Sequence, residues 1–151
     1  MNKSVWQNSM NSPEFPTLKG DIKTDVLIIG GGIAGILTAY MLEKSGVKYI
    51  LAEKDKICGM TTKNTTAKIT FQHGMIYDRL INSLGETKAK LFLEAQSLAL
   101  EEYAKLCQNI DCDFKRSASV VYSLDNREKA EKEVLALNRL GVKAEFKKNI
   151  P

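Results

Sequence analysis

A short apolar run, Asp25-Val-Leu-Ile-Ile29, stops at Gly30-Gly31-Gly32-Ile33-Ala34-Gly35, and a helix-periodic stretch follows from Ile33 to Lys44. No other feature of this chain restricts its fold as strongly. The β-branched run predicts a strand buried in a parallel sheet, apolar on both faces. Ile33, Ile36, Leu37, Tyr40 and Met41 fall on or near one helical face, and Gly46 is placed to end the helix. Val47-Lys-Tyr-Ile-Leu-Ala52 reads as a second strand, closed by Glu53. Strand, glycine turn, helix and strand, joined by short connections, specify parallel strands with one right-handed crossover.

Read as GxGxxG, the glycines are Gly30, Gly32 and Gly35. The first permits a tight turn out of the strand. The second lets the backbone approach a pyrophosphate with no Cβ in the way, and the third lets the helix pack close to the sheet. The free N–H groups at the helix start, with the positive end of its dipole, then face the phosphates. Glu53 follows Gly30 at close to the interval, about 20 residues, expected of the acid that binds ribose hydroxyls. An acid there repels a 2′-phosphate, which disfavours NADP. The fingerprint alone leaves FAD and NAD both open, because each presents ADP to such a unit.

Composition narrows the class. Of 151 residues, 44% are apolar and 26% charged, which suits a packed core rather than a disordered chain. The net charge of +4 is spread along the chain, with basic residues interleaved with acids in Lys129–Glu133 and Lys143–Lys148. These read as solvated faces, not as a nucleic-acid footprint. Cys58, Cys107 and Cys112 form no CxxC pair, and their number is odd, as for reduced thiols in a cytoplasmic protein. The polar start, MNKSVWQNSMNSPEFP, lacks the apolar core of a signal peptide, and no apolar run approaches a membrane span.

The rest of the chain sorts by periodicity and turn signals. Residues 1–20 read as an irregular arm, with Trp6, Phe15 and Leu18 as apolar anchors. Residues 55–71 are a threonine-rich loop, and a helix spans about 74–82. Ser83-x-x-Glu86 predicts a capping box opening a helix to about Cys107, with Leu91, Ala95, Leu98 and Leu106 inward. A strand is expected within 114–124, its core Ser119–Tyr122. Asp125-x-x-Glu128 is expected to cap a further helix, with Ala130, Val134, Leu137 and Leu140 inward and Gly141 ending it. Val142, Ala144 and Phe146 alternate with charges, as on a half-exposed strand. The expected organisation is an arm at 1–20, a dinucleotide-binding unit at 21–73, and helices with the start of a second domain at 74–151.

Residues 21–53, DIKTDVLIIGGGIAGILTAYMLEKSGVKYILAE, resemble the N-terminal FAD unit of the glycine/D-amino-acid oxidase (DAO) family. Cys58-Gly-Met-Thr-Thr62 resembles that family's small-residue loop over the FAD pyrophosphate. The segment after Ile110 is similar to the start of its substrate domain. Phe15-Pro16 and Thr65-Thr-Ala-Lys-Ile-Thr-Phe-Gln-His73-Gly74 resemble the branch whose members carry a C-terminal Rieske iron–sulfur domain. The resemblance implies an α/β fold: a Rossmann-like FAD-binding βαβ unit with the start of a second, mixed α+β substrate domain. The cofactor it implies is FAD, held by Gly30, Gly31, Gly32, Ile33, Ala34, Gly35, Glu53, Lys54, Thr61 and Thr62. The reaction it implies is oxidation of a C–N bond of an amine or amino acid, giving an imine that water hydrolyses. Where some relatives tether FAD to a histidine, the nearest position here is Lys63.

No catalytic residue or metal ligand is assigned. The chain offers no acid pair, nucleophile–base pair or metal cluster, and a flavin would itself carry the redox chemistry. His73, the single histidine, and Lys63, Lys68 and Cys58 each have an ordinary structural explanation. The expected partner is a small amine or amino-acid substrate, without nucleic acid or membrane. A nicotinamide-dependent dehydrogenase, or a nucleotide-binding module without turnover, remains open on the same motif. Family members continue beyond the position of Pro151, so the chain reads as an N-terminal fragment. Such a fragment is expected to bind FAD poorly and to self-associate through its apolar helix stripes.

Overall fold

The computed structural model describes residues 13–148. The chain divides into two compact units between Lys68 and Ile69, ahead of the division expected after His73.

The first unit holds strand β1 (Val26–Ile29), helix α1 (Ile33–Lys44), strand β2 (Tyr49–Ala52) and a 3-10 turn at Thr61–Asn64. The strands pair in parallel, with Val26 opposite Tyr49 and Ile29 opposite Ala52. Helix α1 packs on both strands. Gly46 takes φ +66° and ends the helix as expected, with the Val47 N–H closing back on the Leu42 carbonyl at 3.0 Å.

Which faces are buried differs from the sequence expectation. Ala39 is the buried residue of α1, whereas Ile33, Tyr40 and Met41 are exposed. A helix lying close to strands presents its smallest side chains to them, and Gly35 and Ala39 share that side, one turn apart. Strand β1 is not buried on both faces: Ile28 is buried but Ile29 is 85% exposed. The sheet has two strands, and among the described residues α1 is the helix packed on it. In the arm, Phe15 and Leu18 are exposed. Trp6 lies outside the described residues.

The second unit holds helices α2 (Tyr77–Leu84), α3 (Glu86–Cys107) and α4 (Arg127–Arg139). Helix α2 packs against both of the others. The core is Tyr77, Ala89, Leu93, Ala136, Leu137 and Leu140, with Phe71, Ile76, Leu80, Ile81, Val142 and Ala144 packed around it. The expected inward stripe of α3 is corrected: Leu91, Ala95 and Leu98 are exposed, and Ala89, Leu93 and Ala104 are buried. The expected capping boxes are also replaced. Ser83 Oγ donates to the Arg79 carbonyl at 2.8 Å, within its own helix, and Gly85 stands at the start of α3. At α4 the cap is Asn126, whose Oδ1 accepts from the Lys129 N–H at 2.9 Å.

Residues 114–124 and 142–146 are not strands. Burial still alternates along the latter, with Val142, Ala144 and Phe146 half-buried between exposed charges. Ala118–Ser123 and Val142–Lys148 line a cleft of about 910 Å³, so their backbones do not pair across it. A strand is defined by its hydrogen-bonded neighbour, and neither segment has one among the described residues.

Glu133 sits in the solvated run of the sequence reading, yet it is 4% exposed. Its Oε1 accepts from Gln72 Nε2 at 2.8 Å and from the Ile76 and Tyr77 N–H groups at 3.0 Å each, and its Oε2 accepts from the Asp78 N–H at 3.0 Å. One side chain of α4 thus satisfies the first free amides of α2. Tyr77 is fully buried and donates its hydroxyl to the Phe71 carbonyl at 2.6 Å. Burial, and then the Glu133 charge, push its pKa up to about 12. Because the folded value is raised, the stabilisation is complete below the ordinary tyrosine pKa of about 10 and is lost as pH rises toward about 12. Denaturation midpoints of the second unit should fall across that window in the native protein and fall less steeply in Tyr77→Phe, where the raised Tyr103, Lys105 and Lys132 still titrate.

Candidate functional site

The glycine turn is built from both ends of the first unit. Gly30 takes φ +105°, a conformation open to glycine, and its N–H donates to the Ala52 carbonyl at 2.8 Å. The turn therefore leaves β1 while still tied to β2. Gly35 faces back toward it: a Cβ there would lie closer than 3.0 Å to the Gly30 carbonyl oxygen and 3.4 Å from Ile28 Cγ2. The close helix–strand packing expected of the third glycine is present.

Glu53 follows directly on β2 and reaches across to the turn. Its Oε2 accepts from the Gly31 N–H at 2.7 Å, and its Oε1 accepts from the Asp55 N–H at 3.0 Å. The backbone N–H of Asp55, then that of Gly31, hold its carboxyl below the usual carboxylate value. The side chain is ionised at neutral pH. Each carboxylate oxygen has a further lone pair, so these backbone bonds leave acceptor capacity.

The loop after β2 closes on the same turn. The Cys58 N–H donates to the Gly31 carbonyl at 2.8 Å, and a Cβ on Gly31 would meet Ile57 Cγ2 at 2.8 Å. Thr62 Oγ1 accepts from the Ile33 N–H, the first residue of α1, at 3.1 Å. Gly32 contributes no side-chain cap to that helix, and a Cβ added to it would meet Thr62 Oγ1 at 3.6 Å, an ordinary contact. The protein itself leaves room at Gly32.

The structure thus brings together the Gly30–Gly35 turn, Glu53 and Thr62. Lys54 joins through its backbone and its charge, which help to hold the Glu53 carboxyl down, while its side chain is 85% exposed and lies 3.9 Å from Asp55. Thr61 is exposed. Asp55 and Ile57 belong to the arrangement but carry no sequence signal, since one acts through its backbone and the other through its shape. Cys58 takes part through its N–H, while burial pushes its thiol up. Lys68 and, in the second unit, His73 are exposed. Chemically, the turn offers helix-start amides and a positive dipole end to an anion, with a fixed carboxylate beside them for hydroxyl donors. Among the described residues no group of three or more His, Cys, Asp or Glu could hold a metal ion, and no helix is long and apolar enough to cross a membrane.

Comparison with known proteins agrees with this geometry. Residues 25–148 match the model of the DAO family, FAD-dependent oxidoreductases. The chain is 37% identical, over 99% of its length, to a putative Rieske 2Fe-2S iron–sulfur protein, YhfW, of Bacillus subtilis, and covers 30% of that protein. It is 26% identical over 74% of its length to glycerol 3-phosphate oxidase of Mycoplasma genitalium, covering 27% of it. It is 30% identical over 54% of its length to the human flavin-containing amine oxidase B, covering 15% of it. The chain therefore spans less than a third of each of these relatives. No solved structure matches. The glycine turn, the acid after β2 and the family match over most of the chain lead to one assignment: this chain belongs to the DAO family of FAD-dependent oxidoreductases, whose cofactor is FAD.

Proposed function

We propose that residues 21–68 are a Rossmann-like unit that holds the ADP half of FAD in an enzyme oxidising a C–N bond of an amine or amino acid. One observation carries this reading. Gly32, at the start of α1, leaves room beside Thr62 although nothing among the described residues requires a glycine there. Its φ of −77° with extended ψ suits any residue. A glycine without a structural reason is accounted for by a ligand that lies against it.

In this reading the N–H groups of the turn and of Ile33 and Ala34 face the pyrophosphate. Thr62 exchanges the Ile33 amide for a phosphate oxygen or donates its own hydroxyl. Glu53 accepts from the ribose hydroxyls while its backbone bonds keep the turn closed. Thr61 and Lys54 stand at the rim. FAD, when bound, supplies two-electron redox chemistry. Residues 69–151 are the start of the substrate domain. The C–N substrate is supported by the name of the amine oxidase relative; that of the glycerol 3-phosphate oxidase points to a C–O bond instead. A following Rieske domain is supported by the name of the Bacillus relative. The apolar stripes left exposed on α3 support self-association of the chain taken alone.

Gly32→Ala tests the cofactor site in protein carrying this segment. The far-ultraviolet circular dichroism and denaturation midpoint should match the parent, while FAD affinity falls at least about tenfold, or roughly 1.4 kcal/mol. Parental FAD affinity would show that the turn is structural only. Anaerobic bleaching of the flavin by amines or amino acids, and not by glycerol 3-phosphate, is expected of the loaded protein; the reverse preference would overturn the C–N assignment.

A further inference from the structure

Helix α3 carries two apolar faces. Ala89, Leu93 and Ala104 lie on the buried one. At about 3.6 residues per turn, Leu91, Phe92, Ala95, Leu98 and Ala99 form a stripe on the other side of the helix, and all five are exposed. Leu98 is 69% and Leu91 60% exposed. A helix apolar on all sides is ordinarily buried on all sides. Opposite charges mark the ends of this stripe. Lys88 lies on the same face one turn before Leu91, and Glu102 one turn after Leu98, both exposed. Glu102 accepts from Lys105 Nζ at 2.6 Å, and a carboxylate can accept from more than one donor.

We infer that this stripe is the seam of a homodimer in which a second copy of the chain lies antiparallel on α3, centred on Ala95. The inference rests on the self-association read above from the same exposed face, and it names the partner, the residues and the direction. With Ala95 against its own copy, Leu91 comes level with the partner's Ala99, and Phe92 with the partner's Leu98. The small Ala95 and Ala99 let the two backbones approach, and the larger side chains fill the flanks. Lys88 then comes level with the partner's Glu102, and Glu102 with the partner's Lys88. A parallel copy would set lysine on lysine and glutamate on glutamate. The antiparallel arrangement is self-complementary and closes at two chains. Burial of apolar area supplies the affinity. The exposed charge pairs add little energy and decide the direction. Glu94, at the edge of the stripe, comes beside the partner's Glu94 and opposes the pairing, but both stay in water, where salt screens them.

Sedimentation of the chain should show a dimer. Leu98→Glu should weaken it at least about tenfold while keeping the parental far-ultraviolet circular dichroism, because Leu98 is exposed within the single chain. Direction is tested by mixing Lys88→Cys and Glu102→Cys proteins, oxidising with copper phenanthroline and mapping the linked peptides. The expected product is a disulfide between chains that joins the two introduced thiols, with neither variant linking to itself at those positions. A chain that stays monomeric at every concentration would overturn both the dimer and the self-association it rests on. A dimer that survives Leu98→Glu, a Lys88→Cys protein linked to itself, or a dimer without the mixed link would keep self-association and overturn the antiparallel seam.

Discussion

Gly35→Ala should unfold or severely loosen the first unit, with no ligand involved. The added Cβ would overlap the Gly30 carbonyl oxygen and press on Ile28 Cγ2. The obstacle is backbone, so no side-chain rotation relieves it. Nor can Gly30 retreat freely, because its N–H is bonded to Ala52 and its φ of +105° already belongs to a tight turn. Overpacking of a closed site costs about 1–3 kcal/mol, and a backbone collision belongs at the upper end of that range or beyond. Against a typical domain stability of about 5–15 kcal/mol, that is a large share. Urea denaturation monitored in the first unit should show a markedly lower midpoint for Gly35→Ala and a parental one for Gly32→Ala. A parental midpoint for Gly35→Ala would mean that α1 can move away from the strands without cost. The contrast separates two roles that the single motif GxGxxG runs together: Gly35 answers to the protein and, in the function proposed above, Gly32 to the ligand.

Glu133→Ala should destabilise the second unit by about 3–5 kcal/mol. The variant removes the acceptor of four hydrogen bonds at once, leaving the N–H groups of Ile76, Tyr77 and Asp78 without one and Gln72 Nε2 with the Gly74 carbonyl alone. A buried donor without a partner costs about 1–3 kcal/mol. Water entering the space left by the carboxylate offsets part of that sum, which is why the expected total is below the full four-fold cost. Glu133→Gln should fall between. Its amide oxygen can keep the contacts of Oε1, but its NH2 group would then face the Asp78 N–H, donor against donor. Amide hydrogen exchange should locate the damage, with Ile76, Tyr77 and Asp78 losing protection first. A Glu133→Ala protein within about 0.5 kcal/mol of the parent would show that these amides find other acceptors.

What the sequence determined was local. The order strand, glycine turn, helix, strand, the stop at Gly46, the stop at Gly141 and the acid after β2 all depend on neighbours a few residues apart. Their backbone geometry follows from residue type at each position, so they can be read one position at a time. The family resemblance rested on the same short-range spacings. What tertiary structure decided was which of several eligible faces is buried and which partner each polar group finds. Helix α3 carries apolar residues nearly all round, and its contact with α2 selects Ala89 and Leu93 while leaving Leu98 69% exposed. Ser119–Tyr122 has the residues of a strand but lacks, among the described residues, the neighbour that makes one. Glu133 looks like a surface charge in an Arg/Lys/Glu-rich helix until α2 brings its free amides to it, and Arg116 finds Glu101 only because the chain reverses after α3. A residue's composition and spacing state what it can bond to. Only the packing of distant segments states what is there to be bonded.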